Sequence, residues 1–143
     1  IPQEGDRRQI VERQIRQRRG QQQFRDDLRD RYGDRCLVTG CGVLAVLEAA
    51  HIMPYRGDDD NHARNGLLLR SDIHTLFDLD LLGIEPNQLR VDLHPDLAKH
   101  EEYRSLDGKM LGCEPDRRPS LEPLSLRYEQ FQRRLHRSPG TNG

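Results

Sequence analysis

The predicted fold of this chain is decided by residues 47–79, LEAAHIMPYRGDDDNHARNGLLLRSDIHTLFDL. The stretch begins as an apolar run with strand character that ends at His51, and a proline, a glycine and three aspartates then interrupt regular structure. Leu67–Leu69 predicts a second short strand, and Ser71 is a residue type favoured as a helix N-cap. The predicted order is therefore strand, loop, strand and helix.

Chemistry-bearing side chains sit at both ends of this predicted unit. His74 and Asp78 are four residues apart in the helix, so their side chains share one face. That spacing allows an imidazole nitrogen and a carboxylate oxygen to bind one metal ion, and His51 could face the same ion as a base. The alternative for Asp78 is an ion pair with a nearby arginine, which is common for carboxylates on helix surfaces.

The motif His51-Ile52-x-Pro54, followed by Asn65 and by His74 nine residues later, resembles the His-Asn-His (HNH) nucleases. The resemblance implies an α+β fold built on a ββα-metal unit, also called the His-Me finger. It places the general base at His51 and a helix-borne metal ligand at His74. It also implies that Asn65 bonds across the loop and orients His51, and that Asp78 matches the second helix ligand of colicin-type members.

A wider run, Arg19-Gly20-Gln21, Phe24-Arg25, Tyr32, Cys36 and residues 69–78, resembles the HNH branch of bacterial restriction endonucleases. This resemblance implies a cytoplasmic, metal-dependent endonuclease that hydrolyses DNA, acting as the cleavage domain of a restriction or defence nuclease. The implied partners are DNA and further domains of a longer protein, and a homodimer is left open. Two alternatives remain: an RNase or toxin nuclease of the same fold, and a nucleic-acid-binding module whose site has decayed.

The chain departs from the family pattern at its metal-binding positions. Many members carry an acidic or histidine ligand immediately before the base, where this chain has Ala50, so Glu48 or water would have to fill the gap. Many members also bind a structural zinc through two cysteine pairs, but the downstream positions here are Arg70 and Ile73. We therefore expect no structural zinc, and a divalent working ion, Mg²⁺ ahead of Mn²⁺, Ni²⁺ or Zn²⁺.

Composition restricts the class of protein further. The chain has 143 residues, which suits one globular domain with a modest core, and it begins with Ile, as expected of a fragment. Its apolar runs are too short for a membrane span, and three cysteines without zinc spacing suit a reducing cytosol. The net charge of −1 hides an asymmetry: residues 1–35 hold ten arginines and seven acids, whereas residues 36–114 hold seven basic and fourteen acidic residues.

The flanking segments predict helices around a nuclease core. Helical spacing of apolar residues predicts a helix over 5–32 that ends at Gly33-Asp34, and a break into two helices at Gly20 is left open. We expect a short strand and turn over 36–42, a strand over 43–50, a β-hairpin from 81–84 and 89–93, and a last helix over 124–135. The corresponding regions are an N-terminal helical arm (1–35), the nuclease core with its hairpin (36–93) and a C-terminal extension (94–143).

Arginine supplies the planar donor fork that suits DNA phosphates. The candidates for such contacts are Arg16, Arg18, Arg19, Arg25 and Arg29 in the first predicted helix and Arg56 and Arg70 in the core. Cys36 and Cys41 have two interpretations, half of a zinc site or small buried apolar residues, and the missing second pair favours burial.

Overall fold

The computed structural model describes residues 4–54 and 61–137. Its elements are α1 (Glu4–Tyr32), β1 (Leu47–His51), β2 (Gly66–Arg70), α2 (Ser71–Asp78), β3 (Leu82–Glu85), β4 (Arg90–Leu93), α3 (Pro95–Ala98), α4 (Glu101–Arg104) and α5 (Leu121–Leu135). The mixture of helices with small antiparallel sheets agrees with the predicted class. The prediction of Arg56 as a phosphate contact and the three aspartates at 58–60 lie outside the described residues.

The first sheet joins β1 to β2 in antiparallel register, with Leu47 opposite Arg70 and His51 opposite Gly66. Leu67, Leu68 and Leu69 are all fully buried. Because successive strand residues point to opposite faces, β2 must be covered on both of them. The predicted strand, loop, strand and helix order is confirmed, and β2 runs directly into α2.

The start of α2 differs in detail from the prediction. Arg70 is the N-cap residue, with φ −59° and ψ 146°, and Ser71 is already helical. The prediction of Ser71 as N-cap was therefore wrong, because β2 continues to the residue before the helix and leaves no separate cap position. Asp72 lies in the first turn, as expected, where its charge is favourable to the helix dipole.

Helix α1 continues through Gly20 as one helix, so the alternative of two helices does not apply. The glycine has a packing reason, since a Cβ at Gly20 would lie 2.9 Å from Nδ2 of Asn61. The helix ends as predicted at Gly33, whose φ of +79° is readily adopted only by glycine. Phe24 and Leu28 in its second half are buried, while residues 5–19 are exposed.

The segment from Cys36 to Val46 contains no strand, contrary to prediction. Cys36 N–H donates to the carbonyl of Cys41, and Gly40, with φ +78°, donates to the carbonyl of Cys36, so this segment closes a tight turn instead. Residues Leu44–Val46 form one turn of 3₁₀-helix before β1 begins. The guanidinium of Arg25 donates to the carbonyls of Leu44 and Leu47 and thereby ties this turn to α1.

The second sheet is the predicted hairpin of β3 and β4. The carboxylate of Glu85 accepts hydrogen bonds from the backbone N–H groups of Asn87 and Gln88 and so stabilises the turn. The last helix, α5, begins at Leu121, slightly earlier than predicted, and packs Phe131 against Gly83 of β3. In the described parts of the chain, no helix is long and apolar enough to cross a membrane.

Candidate active site

His51 is the last residue of β1 and is partly buried between two elements. The ring of Phe24 in α1 stacks on its imidazole, with centroids 4.2 Å apart and an interplanar angle of 8°. Its Nε2 lies 2.9 Å from Oδ1 of Asn61. The structure therefore places the predicted base at the contact between the first sheet and the long helix.

Asn65 bridges the two sides of the loop that follows β1. Its Oδ1 accepts from the N–H of Met53 at 3.1 Å, and its Nδ2 donates to the carbonyl of Met53 at 3.4 Å. Its own carbonyl accepts from the N–H of Ile52. These bonds hold the backbone that follows His51.

His74 lies between two carboxylates. Its Nδ1 is 2.8 Å from Oε1 of Glu48 on β1, and its Nε2 is 3.2 Å from Oδ2 of Asp78 on the next turn of α2. A neutral imidazole carries one N–H, so it can donate to only one of these oxygens. With the shorter bond made by Nδ1–H, a lone pair on Nε2 would face an oxygen of Asp78, and a cation between them would remove that repulsion.

Asp78 has a second neighbour. Nη2 of Arg127 in α5 lies 3.8 Å from Oδ1 of Asp78 and donates to the backbone carbonyls of Phe77 and Asp78. Positive charge at a helix C-terminus is favourable, so Arg127 stabilises the end of α2. The arginine pairing considered as an alternative is thus present, but it uses a different carboxylate oxygen from the one that faces His74.

His74 and Asp78 are the two side chains on α2 that could hold a metal ion. Among the described residues, no three His, Cys, Asp or Glu side chains are arranged to hold one ion. Nε2 of His74 and Oδ2 of Asp78 lie 3.2 Å apart, so both atoms could contact one cation. Glu48 contacts Nδ1 of His74, the ring nitrogen that does not face Asp78. A carboxylate at the second ring nitrogen is what commonly orients a metal-binding histidine.

The candidate DNA-binding arginines differ in their surroundings. Arg16 and Arg19 line a groove of about 320 Å³ together with Phe24 and Asn61, which both contact His51. A second groove, of about 660 Å³, is lined by Ile15, Arg18, Arg19, Gln21, Gln22 and Arg25. Arg25 is engaged with backbone carbonyls and Arg70 with Asp72, so phosphate contacts by these two remain predictions.

Arg70 occupies a position where zinc-binding relatives would carry a cysteine. Its guanidinium makes two bonds to Asp72, which also accepts from the hydroxyl of Tyr103 at 2.8 Å. Hydrogen bonds from Arg70, together with that from Tyr103, lower the pKa of Asp72 to about 2. A cluster of polar side chains therefore stabilises the junction of β2 and α2. Cys36 is buried and Cys41 half-buried, and both are free thiols.

Two residues in contact with His51 were missed by sequence reasoning. Phe24 belongs to the wider run that resembles restriction endonucleases, but the apolar periodicity of α1 predicts it only as a core residue. Asn61 lies in a polar loop where asparagine is common. Neither residue carries a local signal of its role, because the contacts with His51 join segments that are distant in sequence.

Residues 36–85 match the HNH endonuclease family. These residues form an HNH endonuclease domain. The matched segment contains β1, β2, α2 and β3, together with His51, Asn65, His74 and Asp78. The predicted resemblance to HNH nucleases is confirmed for these residues.

One solved structure similar to the HNH domain and its flanks is described as a modification dependent TagI restriction endonuclease. The TM-score is 0.50 with 22% sequence identity, over 73% of this chain and 35% of that chain. At this identity the likeness concerns the fold, and the chain spans about a third of that protein's length, 35%. No curated protein matches the chain at a significant level.

Proposed function

We propose that the HNH domain is a metal-dependent DNA endonuclease that serves as the cleavage domain of a bacterial restriction or defence nuclease. The family match supports hydrolysis of a nucleic acid, and the solved structure of similar fold is described as a restriction endonuclease. The proposed setting is the bacterial cytoplasm, where free thiols such as those of Cys36 and Cys41 persist. Further domains would select the target.

The observation that carries the proposal is the position of His74 between Glu48 and Asp78. In the proposed site, Glu48 accepts the Nδ1 proton of His74 and orients the ring, while Nε2 and the Asp78 carboxylate hold a divalent ion. Such an ion, most readily Mg²⁺, would stabilise charge on the phosphate and on the leaving 3′ oxygen. This is a core of the ββα-metal type, in which Glu48 partly compensates for the ligand absent at Ala50.

His51 is the proposed general base. It would take a proton from the water whose oxygen attacks phosphorus. Asn65 supports this role by bonding both backbone polar groups of Met53, which fixes the chain directly after the base. The site thus divides into a base on β1 and a metal-binding pair on α2.

The groove beside His51 supports a nucleic acid as substrate. Arg16 and Arg19 line the same groove as Asn61 and Phe24, so a phosphate held by these arginines would lie close to the base. Arginine is suited to this contact because its guanidinium can donate two parallel bonds to one phosphate. The proposed path of DNA therefore follows the outer face of α1 towards His51.

The test is incubation of the purified chain with supercoiled plasmid and, separately, with RNA, each with Mg²⁺ and with a chelator. We expect metal-dependent cleavage of the plasmid. Preferential cleavage of RNA would favour an RNase or toxin of the same fold. Retained DNA binding without cleavage of either substrate would favour a decayed binding module.

A further inference from the structure

The imidazole of His51 is held on two sides. Phe24 stacks on the face of the ring, nearly parallel at 8°, and Asn61 contacts its edge through Oδ1, 2.9 Å from Nε2. Rotation of the side chain about either of its bonds would disturb at least one of these contacts. The two residues come from different segments, α1 and the loop before β2, so the fold itself sets the orientation of the ring.

Two glycines provide the space for these contacts. A Cβ at Gly66, the residue opposite His51 in the sheet, would lie 2.5 Å from the ring of Phe24. A Cβ at Gly20 would lie 2.9 Å from Nδ2 of Asn61. Heavy atoms cannot approach so closely, so a side chain at either glycine would displace a group that holds His51.

We infer that Asn61 is a positioning residue that selects the tautomer of His51 with the proton on Nε2. This inference rests on the proposed role of His51 as the base. The side-chain oxygen of asparagine only accepts hydrogen bonds, so Nε2 must donate to it. The neutral ring then carries its lone pair on Nδ1, so His51 acting as the base would take the proton on that nitrogen.

This arrangement makes α1 part of the reaction centre as well as a DNA-binding element. Gly20 and Phe24 act on the position of His51, while Arg16 and Arg19 on the same helix line the adjoining groove. A displacement of the second half of α1 would therefore change both the phosphate contacts and the orientation of the base.

The direct test is the tautomer of His51 in the metal-free full chain, measured by NMR with ¹⁵N- and ¹³C-labelled histidine. His51→Gln identifies the signal. We expect the form protonated on Nε2 in the wild-type protein, a mixture in Asn61→Ala, and retention of the wild-type form in Asn61→Asp, which keeps an acceptor oxygen. An Nδ1-protonated ring in the wild-type protein, or an unchanged tautomer in Asn61→Ala, would overturn the inference.

Cleavage kinetics provide a second readout. Asn61→Ala should lower kcat about 10²-fold, the loss typical of a misplaced catalytic group, with little change in KM for DNA. Asn61→Asp should recover a large part of kcat. A loss confined to KM would show that Asn61 contacts DNA instead of the base and would count against the inference.

Gly20→Ala should displace the side-chain amide of Asn61 while Asn61 itself is unchanged. It should produce part of the tautomer change and part of the loss in kcat, because the added carbon pushes against Nδ2. Gly5→Ala is the matched control, since it makes the same substitution in the same helix with nothing within 4 Å of the added carbon. Equal effects of the two substitutions would assign the change to helix propensity and contradict the inference.

The positioning role of Asn61 and the base role of His51 can be tested separately. If the tautomer of His51 follows Asn61 and Gly20 as expected, but His51→Ala still cleaves DNA like the wild-type protein, the positioning stands and the proposed base is wrong. If the tautomer of His51 is unchanged in Asn61→Ala while His51→Ala is inactive, His51 remains the proposed base and the positioning role of Asn61 is wrong.

Discussion

The two histidines of the site have neighbours of different kinds. Among the described residues, His51 contacts the ring of Phe24 and the amide of Asn61, whereas His74 lies between two carboxylates. Carboxylates on both sides of His74 would attract a cation to it. This difference supports the proposed division into a base and a metal ligand.

The first prediction concerns the base. His51→Ala should abolish cleavage, with a loss of about 10²–10⁴ in rate, the range typical of a removed general base. The side chain is only partly buried, so the fold should persist. Plasmid cleavage and far-UV circular dichroism measure the two effects. Wild-type turnover by a natively folded variant would refute the assignment.

The second prediction concerns metal affinity, measured by calorimetry in phosphate-free buffer. His74→Ala should weaken binding most and Asp78→Ala next, because the proposed site holds the ion through these two residues. Glu48→Ala should weaken it about 10–100-fold, as expected when the carboxylate that orients a metal-binding histidine is lost. His51→Ala is the control and should bind nearly normally. Wild-type affinity in Asp78→Ala would leave its contact with Arg127 as the role of that carboxylate.

At the scale of elements, sequence patterns predicted the strands and helices that depend on residues close together in the sequence. The alternation of apolar runs and turn residues between Leu47 and Asp78 was sufficient for β1, β2 and α2, and Gly33 was sufficient for the end of α1. The segment 36–42 was mispredicted because its apolar residues are buried in a turn, where they satisfy packing without strand pairing. Periodicity reports burial, and burial does not distinguish a strand from a packed turn.

The third prediction tests the cluster of polar side chains at the start of α2. Arg70 and Tyr103 hold the pKa of Asp72 at about 2, below its ordinary 3.8. A carboxylate with a lowered pKa stabilises the fold above its unfolded pKa and loses that contribution as the pH falls through the folded value. Asp72→Asn should therefore lower the free energy of unfolding at pH 7, and its difference from the wild-type protein should shrink between about pH 4 and pH 2.

Denaturant unfolding at several pH values measures this difference. Asp116→Asn, an exposed aspartate in the C-terminal extension, is the control and should show a small difference that does not change over the same interval. A constant difference between Asp72→Asn and the wild-type protein from pH 7 to pH 2 would contradict the prediction.

The fourth prediction concerns the contact between the hairpin and α5. A Cβ at Gly83 would lie 2.5 Å from the ring of Phe131, which is buried. Gly83→Ala should therefore destabilise the protein by about 1–3 kcal/mol, the usual cost of overpacking, as measured by denaturant unfolding. Gly5→Ala, exposed and without close neighbours, should be neutral or slightly stabilising. Equal stability of Gly83→Ala and the wild-type protein would show that α5 can move away freely.

At the scale of the whole molecule, the fold brings segments together that the sequence keeps apart. The contacts of Phe24 and Asn61 with His51 could not be predicted, because they depend on how α1 crosses the first sheet. The assignment of Asn65 and His74 depends on their spacing within one continuous motif, so it could be predicted from the sequence. Arg31 of α1 donates to the carbonyl of Arg118, so the two arginine-rich ends of the chain also meet.

The last prediction follows from that meeting of basic segments. If arginines within residues 7–31 and 117–137 contact phosphates, log Kd should rise steeply with log salt, by about 0.9 for each phosphate neutralised on duplex DNA. Removing one contact should reduce the slope by about 1. We expect this reduction for Arg16→Gln and for Arg19→Gln, which line the groove beside the base. Lys99→Gln removes the same charge from the exposed segment between α3 and α4 and should leave the slope unchanged.

Fluorescence anisotropy with a labelled duplex, in chelator to prevent cleavage, gives the slopes. A flat dependence of affinity on salt would exclude phosphate contacts as the source of binding. Equal reductions in all three variants would mean that the net charge of the molecule governs binding, whereas a reduction confined to the two arginines would place the backbone of DNA along α1, next to His51.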